Sequence, residues 1–268
     1  MVHRWREQLQ DRWSTVGVRV LFKARAGHVL AQMFSGVLHY DQQPSLTEVL
    51  ARVRIVTDAR AVLSSLTLSV DETDWDRWRV EYGELEKMLD RRYAECASLS
   101  APLIWRVERQ TGLLLYALIR RSRPRVVVEA GVANGHSTVI SLSALQANAF
   151  GELHSFDISN SVGSLLREVE RARWTLHVSP PQSAFTRFRQ VVNKLGPVDL
   201  FFHDSNHRYI CQFADLLSVW PALGPGATVV VDDVNEAWAF FDFARNHDGA
   251  AIGLFDSRKL TGVFSSAG

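Results

Sequence analysis

From Arg125 onward the chain alternates short apolar or β-branched runs with helical stretches, and this alternation restricts the possible fold more than any other feature. The runs are Val126-Val127-Val128, Leu153-His154-Ser155-Phe156, Thr175-Leu176-His177-Val178, Val198 to His203, and Thr228-Val229-Val230-Val231. Helical patterns separate them: up to Ala149, around Leu165, from Phe185 to Lys194, from Ile210 to Trp220 and from about Glu236. Such alternation with short connections predicts an α/β, Rossmann-like sheet, mostly parallel and covered by helices on both faces. Gly253-Leu254-Phe255 and Gly262-Val263-Phe264 predict a closing antiparallel pair.

The pattern changes near Arg123-Pro124, which divides the chain into a helical region, 1–122, and an α/β domain, 123–268. Trp5, Leu9, Trp13, Val16 and Val20 place an apolar stripe on one face of a first helix. That stripe suits docking on the chain's own core, or a homo-oligomer interface. Ser45-Leu46-Thr47-Glu48 reads as a capping box opening a helix to about Leu66. The acidic stretch Asp71 to Asp76 suits the positive end of another helix, running to about Cys96. A further helix is expected from about Pro102 to Arg121. His39-Tyr40-Asp41 falls in an irregular stretch, read either as a surface loop or as a lid over a bound molecule.

Composition narrows the partners. The formal net charge is +1 and no basic, aromatic-interleaved stretch occurs, so a nucleic-acid partner is not expected. No stretch is both apolar and long enough to span a bilayer, and charge interrupts the opening Met1 to Glu7 before a leader-like apolar run can form. Cys96 and Cys211 form no metal or redox motif and read as small buried hydrophobes, which fits a cytoplasmic setting.

In an open parallel sheet, ligands bind beyond the carboxyl ends of the strands, where strand order reverses. The first strand of the α/β region ends in Glu129-Ala130-Gly131-Val132-Ala133-Asn134-Gly135-His136-Ser137-Thr138. Its glycines permit a tight turn and close approach of a ligand. The spacing is not the G-x-G-x-x-G of dinucleotide sites. Glu129, placed before the glycines, favours a cationic ligand over a pyrophosphate. Asp157, closing the next strand, can accept both hydroxyls of a ribose, or else cap a helix. S-adenosylmethionine combines a sulfonium, an ammonium and a ribose, so it fits both acids.

A second group of polar residues lies farther along. One strand ends in His203-Asp204-Ser205-Asn206-His207-Arg208-Tyr209 and the next in Asp232-Asp233. If these strands are neighbours, Asp204, Asp232 and Asp233 converge at one sheet edge. Three crowded carboxylates repel unless a cation lies among them, and oxygen ligands of this kind suit Mg²⁺. His207, three residues after Asp204, can aim into the same pocket and take a proton from a hydroxyl. The competing readings are helix capping by Asp232 or Asp233, and a helix-start role for His207. His203 and Tyr209 read as packing residues.

With these motifs the region from about Arg125 to Phe264 resembles the class I S-adenosylmethionine-dependent methyltransferases. The Asp204…His207 and Asp232-Asp233 pattern is similar to the metal-dependent sugar O-methyltransferases of the macrocin and mycinamicin type and to related natural-product methyltransferases. The resemblance implies a transferase that methylates a hydroxyl of a small molecule; a metal-independent N- or C-methyltransferase and a non-catalytic partner subunit that binds S-adenosylmethionine or a nucleotide stay open as alternatives. Glu129, Gly131, Gly135, Ser137, Asp157, Ile158, Ser183 and Asp204 would line the cofactor site. Asp204, Asp232 and Asp233 would bind Mg²⁺, with His207 as base. Three departures are visible: Ala133 stands where many members have glycine, Asp232 where glutamate is common, and Ala227 where a second glycine is usual.

Overall fold

A computed structural model describes residues 43–66, 68–181 and 183–266. The expected Trp5–Val20 helix and His39-Tyr40-Asp41 lie outside these residues. Ser45 does cap a helix: its hydroxyl accepts from the Glu48 amide, and the Glu48 carboxylate accepts from the Ser45 amide. That helix, α1 (Leu46–Leu50), ends after one turn instead of continuing to Leu66. The run Val53-Arg54-Ile55-Val56 is rich in β-branched residues, which favour extended backbone, and carries strand β1 (Arg54–Val56). Asp58 then caps α2 (Ala59–Ser65), accepting from the Ala61 amide at 2.8 Å.

Asp71 caps α3 (Glu72–Glu95), as the acidic stretch predicts. Trp75, Trp78, Tyr82, Leu85 and Leu89 recur every three or four residues and are buried together on one face of this helix. The following helix, α4 (Arg109–Ser122), starts later than Pro102 because a 3₁₀ turn occupies Leu103–Trp105. The first-turn amides of Gln110 and Thr111 donate to the carboxylate of Asp256, far along the chain, which satisfies donors that no helical carbonyl can reach.

The remaining elements follow the predicted alternation: β2 (Val126–Ala130), α5 (His136–Asn148), β3 (Glu152–Asp157), β4 (Trp174–Val178), α6 (Ala184–Val192), β5 (Val198–His203), α7 (Tyr209–Val219), β6 (Leu223–Val231), α8 (Ala239–Arg245), β7 (Gly249–Asp256) and β8 (Lys259–Ser266). One expectation fails: the helix around Leu165 is replaced by a 3₁₀ segment at Glu168–Arg173. Leu165 instead gives its amide to the Asn134 carbonyl, which removes it from any helical ladder.

Among the described residues eight strands join one sheet in the order β1-β7-β8-β6-β5-β2-β3-β4. The run from β4 to β6 is parallel, and β8 lies antiparallel between β6 and β7. The expected closing pair is therefore present, and β1 from the N-terminal region extends it, pairing Arg54 with Ile252 in parallel register. Alternate strand residues feed two cores. Val127, Leu200, Phe202, Val230 and Val263 pack with α2 to α5 on one face. Val126, Val128, Phe201, Val229 and Phe264 pack with α6 to α8 on the other. Both faces being covered explains why the strands read as continuous apolar runs. Among the described residues no helix is long and apolar enough to cross a membrane.

Phe264 is fully buried and meets the rings of Trp220 and Phe243 edge-on. Phe264→Ala is expected to cost about 3–5 kcal/mol of stability, read as a lower urea midpoint at unchanged slope.

Candidate active site

The chain runs from β2 to β3 and β4 on one side, then returns to place β5 on the other side of β2. The reversal opens a crevice at the carboxyl end of β2, where the glycine loop begins. Gly131 adopts a left-handed φ of 92°. A Cβ there would run into the carbonyl oxygen of Asp204, so glycine is what lets the loop lie against the end of β5. The loop is anchored on both sides: Gly131 donates its amide to Phe156 O at 2.9 Å, and Asp204 donates its amide to Ala130 O at 2.8 Å. Gly135 is also left-handed, with Gly163 and Leu166 packed against the place where a side chain would be. Ala133 adopts a φ of 48°, so the alanine tolerates a backbone conformation that glycine would reach more cheaply.

Two of the expected ligand contacts are spent inside the protein. Glu129 is only 1% exposed, and its carboxylate accepts hydrogen bonds from Ser137 Oγ (2.6 Å), Thr138 Oγ1 (2.8 Å) and Ser155 Oγ (2.6 Å). It ties α5 and β3 to β2 rather than standing open beside a cation. Ser137 is buried in the same knot. Burial pushes the Glu129 carboxyl above its ordinary value, and the three hydroxyls pull it back only in part.

Asp157 lies at the crevice as predicted and is partly exposed. Its two oxygens accept from the amides of Val132 and Ser159, each at 3.0 Å, so it also fixes the loop geometry. Ile158 follows with 40% exposure, an apolar surface beside the acid. Ser183 precedes α6 and turns its hydroxyl toward Pro180 O at 3.4 Å.

The second polar group assembles where β5 and β6 end side by side, with His203 paired to Val231. His207 Nε2 is 3.7 Å from Asp204 Oδ1 and 3.6 Å from Asp233 Oδ2. One ligand atom from each of these three residues falls within a 4.8 Å span. Neither Asp232 nor Asp233 caps a helix, because α8 begins only at Ala239 and has no side-chain cap. Asp233 sits in a turn with a left-handed φ of 53°, a strained conformation for a residue with a side chain. Burial, reinforced by Asp232, holds the Asp204 carboxyl well above its ordinary value, with Lys259 working the other way. Burial lowers the His207 imidazole, against the pull of Asp233, and so favours the neutral form that can accept a proton.

Asp232 does not join the expected metal set. It is fully buried, one oxygen accepting from Lys259 Nζ at 2.8 Å and the other from Thr261 Oγ1 at 2.9 Å. Lys259 Nζ also donates to Asp233 Oδ2 at 3.0 Å. Burial alone would push the Lys259 ammonium down, but Asp232, Asp204 and Asp233 outweigh it and hold it above its ordinary value. Mg²⁺ therefore fits poorly: of the three expected acids Asp232 is sealed and Asp233 is shared with an ammonium, which leaves Asp204 together with the His207 imidazole, a nitrogen rather than an oxygen donor. No motif marks Lys259 in the sequence. The signal was the crowding of three acids, which requires a cation without saying whether it is an ion or a side chain. His203 and Tyr209 are buried packing residues as predicted; Tyr209 donates to Asp242 Oδ2 at 3.1 Å.

Residues 128–234 match a family model described as a methyltransferase domain. The O-methyltransferase from Bacillus cereus, solved with SAH, is 15% identical with a TM-score of 0.52, covering 77% of this chain and 96% of its own. The O-methyltransferase TomG from Streptomyces achromogenes, involved in tomaymycin synthesis and solved with SAM, is 20% identical with a TM-score of 0.50, covering 77% of this chain and 95% of its own. MycE from the mycinamycin pathway, solved with Mg and SAH, aligns over 43% of this chain and 29% of its own, at 21% identity and a TM-score of 0.36, too little to carry an argument about metal. No curated protein matches the chain. Residues 128–234 thus resemble a methyltransferase domain, and the chain shares the fold of these solved O-methyltransferases.

His136, the first residue of α5, is stacked at 5.7 Å on Tyr93, and its pKa is lowered to about 4 by burial and then by Arg106. The unfolded chain takes up this proton near the ordinary value of 6.5. The folded protein keeps its full stability above that pH and loses it as pH falls toward 4, by about 2–3 kcal/mol. His136→Gln is expected to flatten this slope in thermal melts taken across that window.

Proposed function

We propose that the protein is an S-adenosylmethionine-dependent O-methyltransferase acting on a hydroxyl of a small molecule, of the sugar or natural-product type. The observation that carries the reading is the position of His207. It stands in the loop between β5 and α7, three residues beyond Asp204, whose backbone touches the glycine loop, and it is biased toward the neutral form. His207 would then be a proton acceptor beside the crevice that would hold the methyl donor. Gly131 and Gly135 would let the methionine portion approach, Asp157 would accept from the ribose, and Ile158 would pack against the adenine. Ser183 would stand near the adenine edge.

S-adenosylmethionine supplies a methyl group already activated on sulfur. What the chain adds is placement and a route for one proton. His207 Nε2 would take the proton of the acceptor hydroxyl as its oxygen receives the methyl group, with SAH as the leaving product. Asp204 and Asp233 flank the imidazolium that would form, and the Asp233 carboxylate would offset its charge. Holding oxygen and methyl in line accounts for much of the expected rate, because the donor needs no further activation.

A second reading places Mg²⁺ among Asp204, His207 and Asp233 and is favoured by the closeness of their ligand atoms. It would occupy the imidazole nitrogen that the first reading uses as base. The neutral composition supports neither a nucleic-acid nor a membrane partner, and a homo-oligomer through the N-terminal region belongs with this proposal.

Incubation of the protein with S-adenosylmethionine and a panel of hydroxylated sugars and phenols, followed by mass spectrometry, should show a methyl adduct on oxygen. His207→Asn is expected to lower kcat about 10²- to 10⁴-fold while leaving calorimetric S-adenosylmethionine affinity near wild type. Full turnover in that variant would remove His207 from the reaction.

A further inference from the structure

Four charged side chains meet where β5, β6 and β8 come together: Asp204, Asp232, Asp233 and Lys259. Lys259 is the first residue of β8 and is 4% exposed, and its ammonium bridges Asp232 Oδ2 and Asp233 Oδ2. A lysine is stripped of water in this way only where carboxylates replace its hydration. The second oxygen of Asp232 accepts from Thr261 Oγ1. Asp233 is held between the ammonium, at 3.0 Å, and His207 Nε2, at 3.6 Å. A divalent ion among Asp204, His207 and Asp233 would share the Asp233 carboxylate with a fixed positive charge and be repelled by it.

We propose that Lys259 supplies from within the chain the positive charge that a divalent cation would bring to this cluster, so that the site works without metal. Lys259 is a positioning residue: it gathers Asp232 and Asp233, and through Asp233 it sets the carboxylate that faces His207. Asp232 and Asp233 together outweigh the single ammonium between them, so the cluster stays electronegative. That suits a neutral hydroxyl acceptor, and it suits an imidazolium forming beside it. The kinetic side of this inference rests on the methyl-transfer reading; the metal-binding side does not.

Two measurements test it. The wild-type protein, treated with a chelator and titrated calorimetrically with Mg²⁺ and with Mn²⁺, should show no saturable binding into the millimolar range. Saturable micromolar binding of either ion would overturn the inference. Lys259→Met removes the ammonium and leaves the acids. Mn²⁺ affinity, followed by its paramagnetic resonance signal, should then rise at least about a hundredfold, whereas Lys259→Arg should keep the wild-type indifference to metal. A folded Lys259→Met protein that gains no Mn²⁺ affinity counts against the inference, because a merely structural lysine would behave that way. If circular dichroism shows that Lys259→Met does not fold, the wild-type titration decides. In the kinetic arm, chelated wild-type protein should methylate its acceptor at an unchanged rate, and loss of transfer restored by Mg²⁺ would overturn the inference. Absence of transfer under every condition would instead count against the methyl-transfer reading, with the wild-type titration still deciding the role of Lys259.

Discussion

The crevice depends on one buried carboxylate. Glu129 receives three hydroxyl hydrogen bonds, two from the first turn of α5 and one from β3. Those bonds fix the start of α5 relative to β2, and so fix the loop that runs between them. An unpaired carboxylate at that depth would be costly, whereas one with three donors binds its neighbours into a single orientation. The backbone then continues the pattern. Asp157 holds Val132, Phe156 holds Gly131, and Ala130 holds Asp204. The site's position is inherited from hydrogen bonds that no ligand needs to touch.

The sequence made the α/β region legible because both sheet faces are covered. Continuous apolar strands and helical spacing are strong signals, and the β2-to-β6 order follows from them. It was less informative for β1. Three extended residues between two short helices cannot be told from a helix by periodicity alone, and their pairing with β7 is a contact between distant parts of the chain. The helix expected around Leu165 failed for a related reason. Its amide is claimed by Asn134, a tertiary partner that local propensity cannot see.

The site was legible as a set of residues but not as a set of roles. Asp204, His207 and Asp233 do converge, as their positions at adjacent strand ends required. Glu129 and Asp232 also lie where expected, yet each has its oxygens occupied by protein donors. Spacing tells which residues share an end of the sheet; it does not tell which of them face outward. Ser137, Ser155, Lys259 and Thr261 make that difference, and they come from elements whose side-chain directions depend on the finished sheet. The acid cluster illustrates the point: electrostatics demanded a cation, and the chain already contained one.

The placement of β1 bears on how the molecule is assembled. Arg54 pairs with Ile252, and β7 reaches the rest of the sheet only through β8, whose first residue is Lys259. Synthesis therefore exposes the β1 segment long before its partner strand exists. Closing so long a loop carries an entropic cost that only late contacts repay. The strand that delivers the internal cation thus belongs to the last part of the sheet that can form, and the parallel strands β2 to β6 can be in place before the acids at their ends meet the lysine.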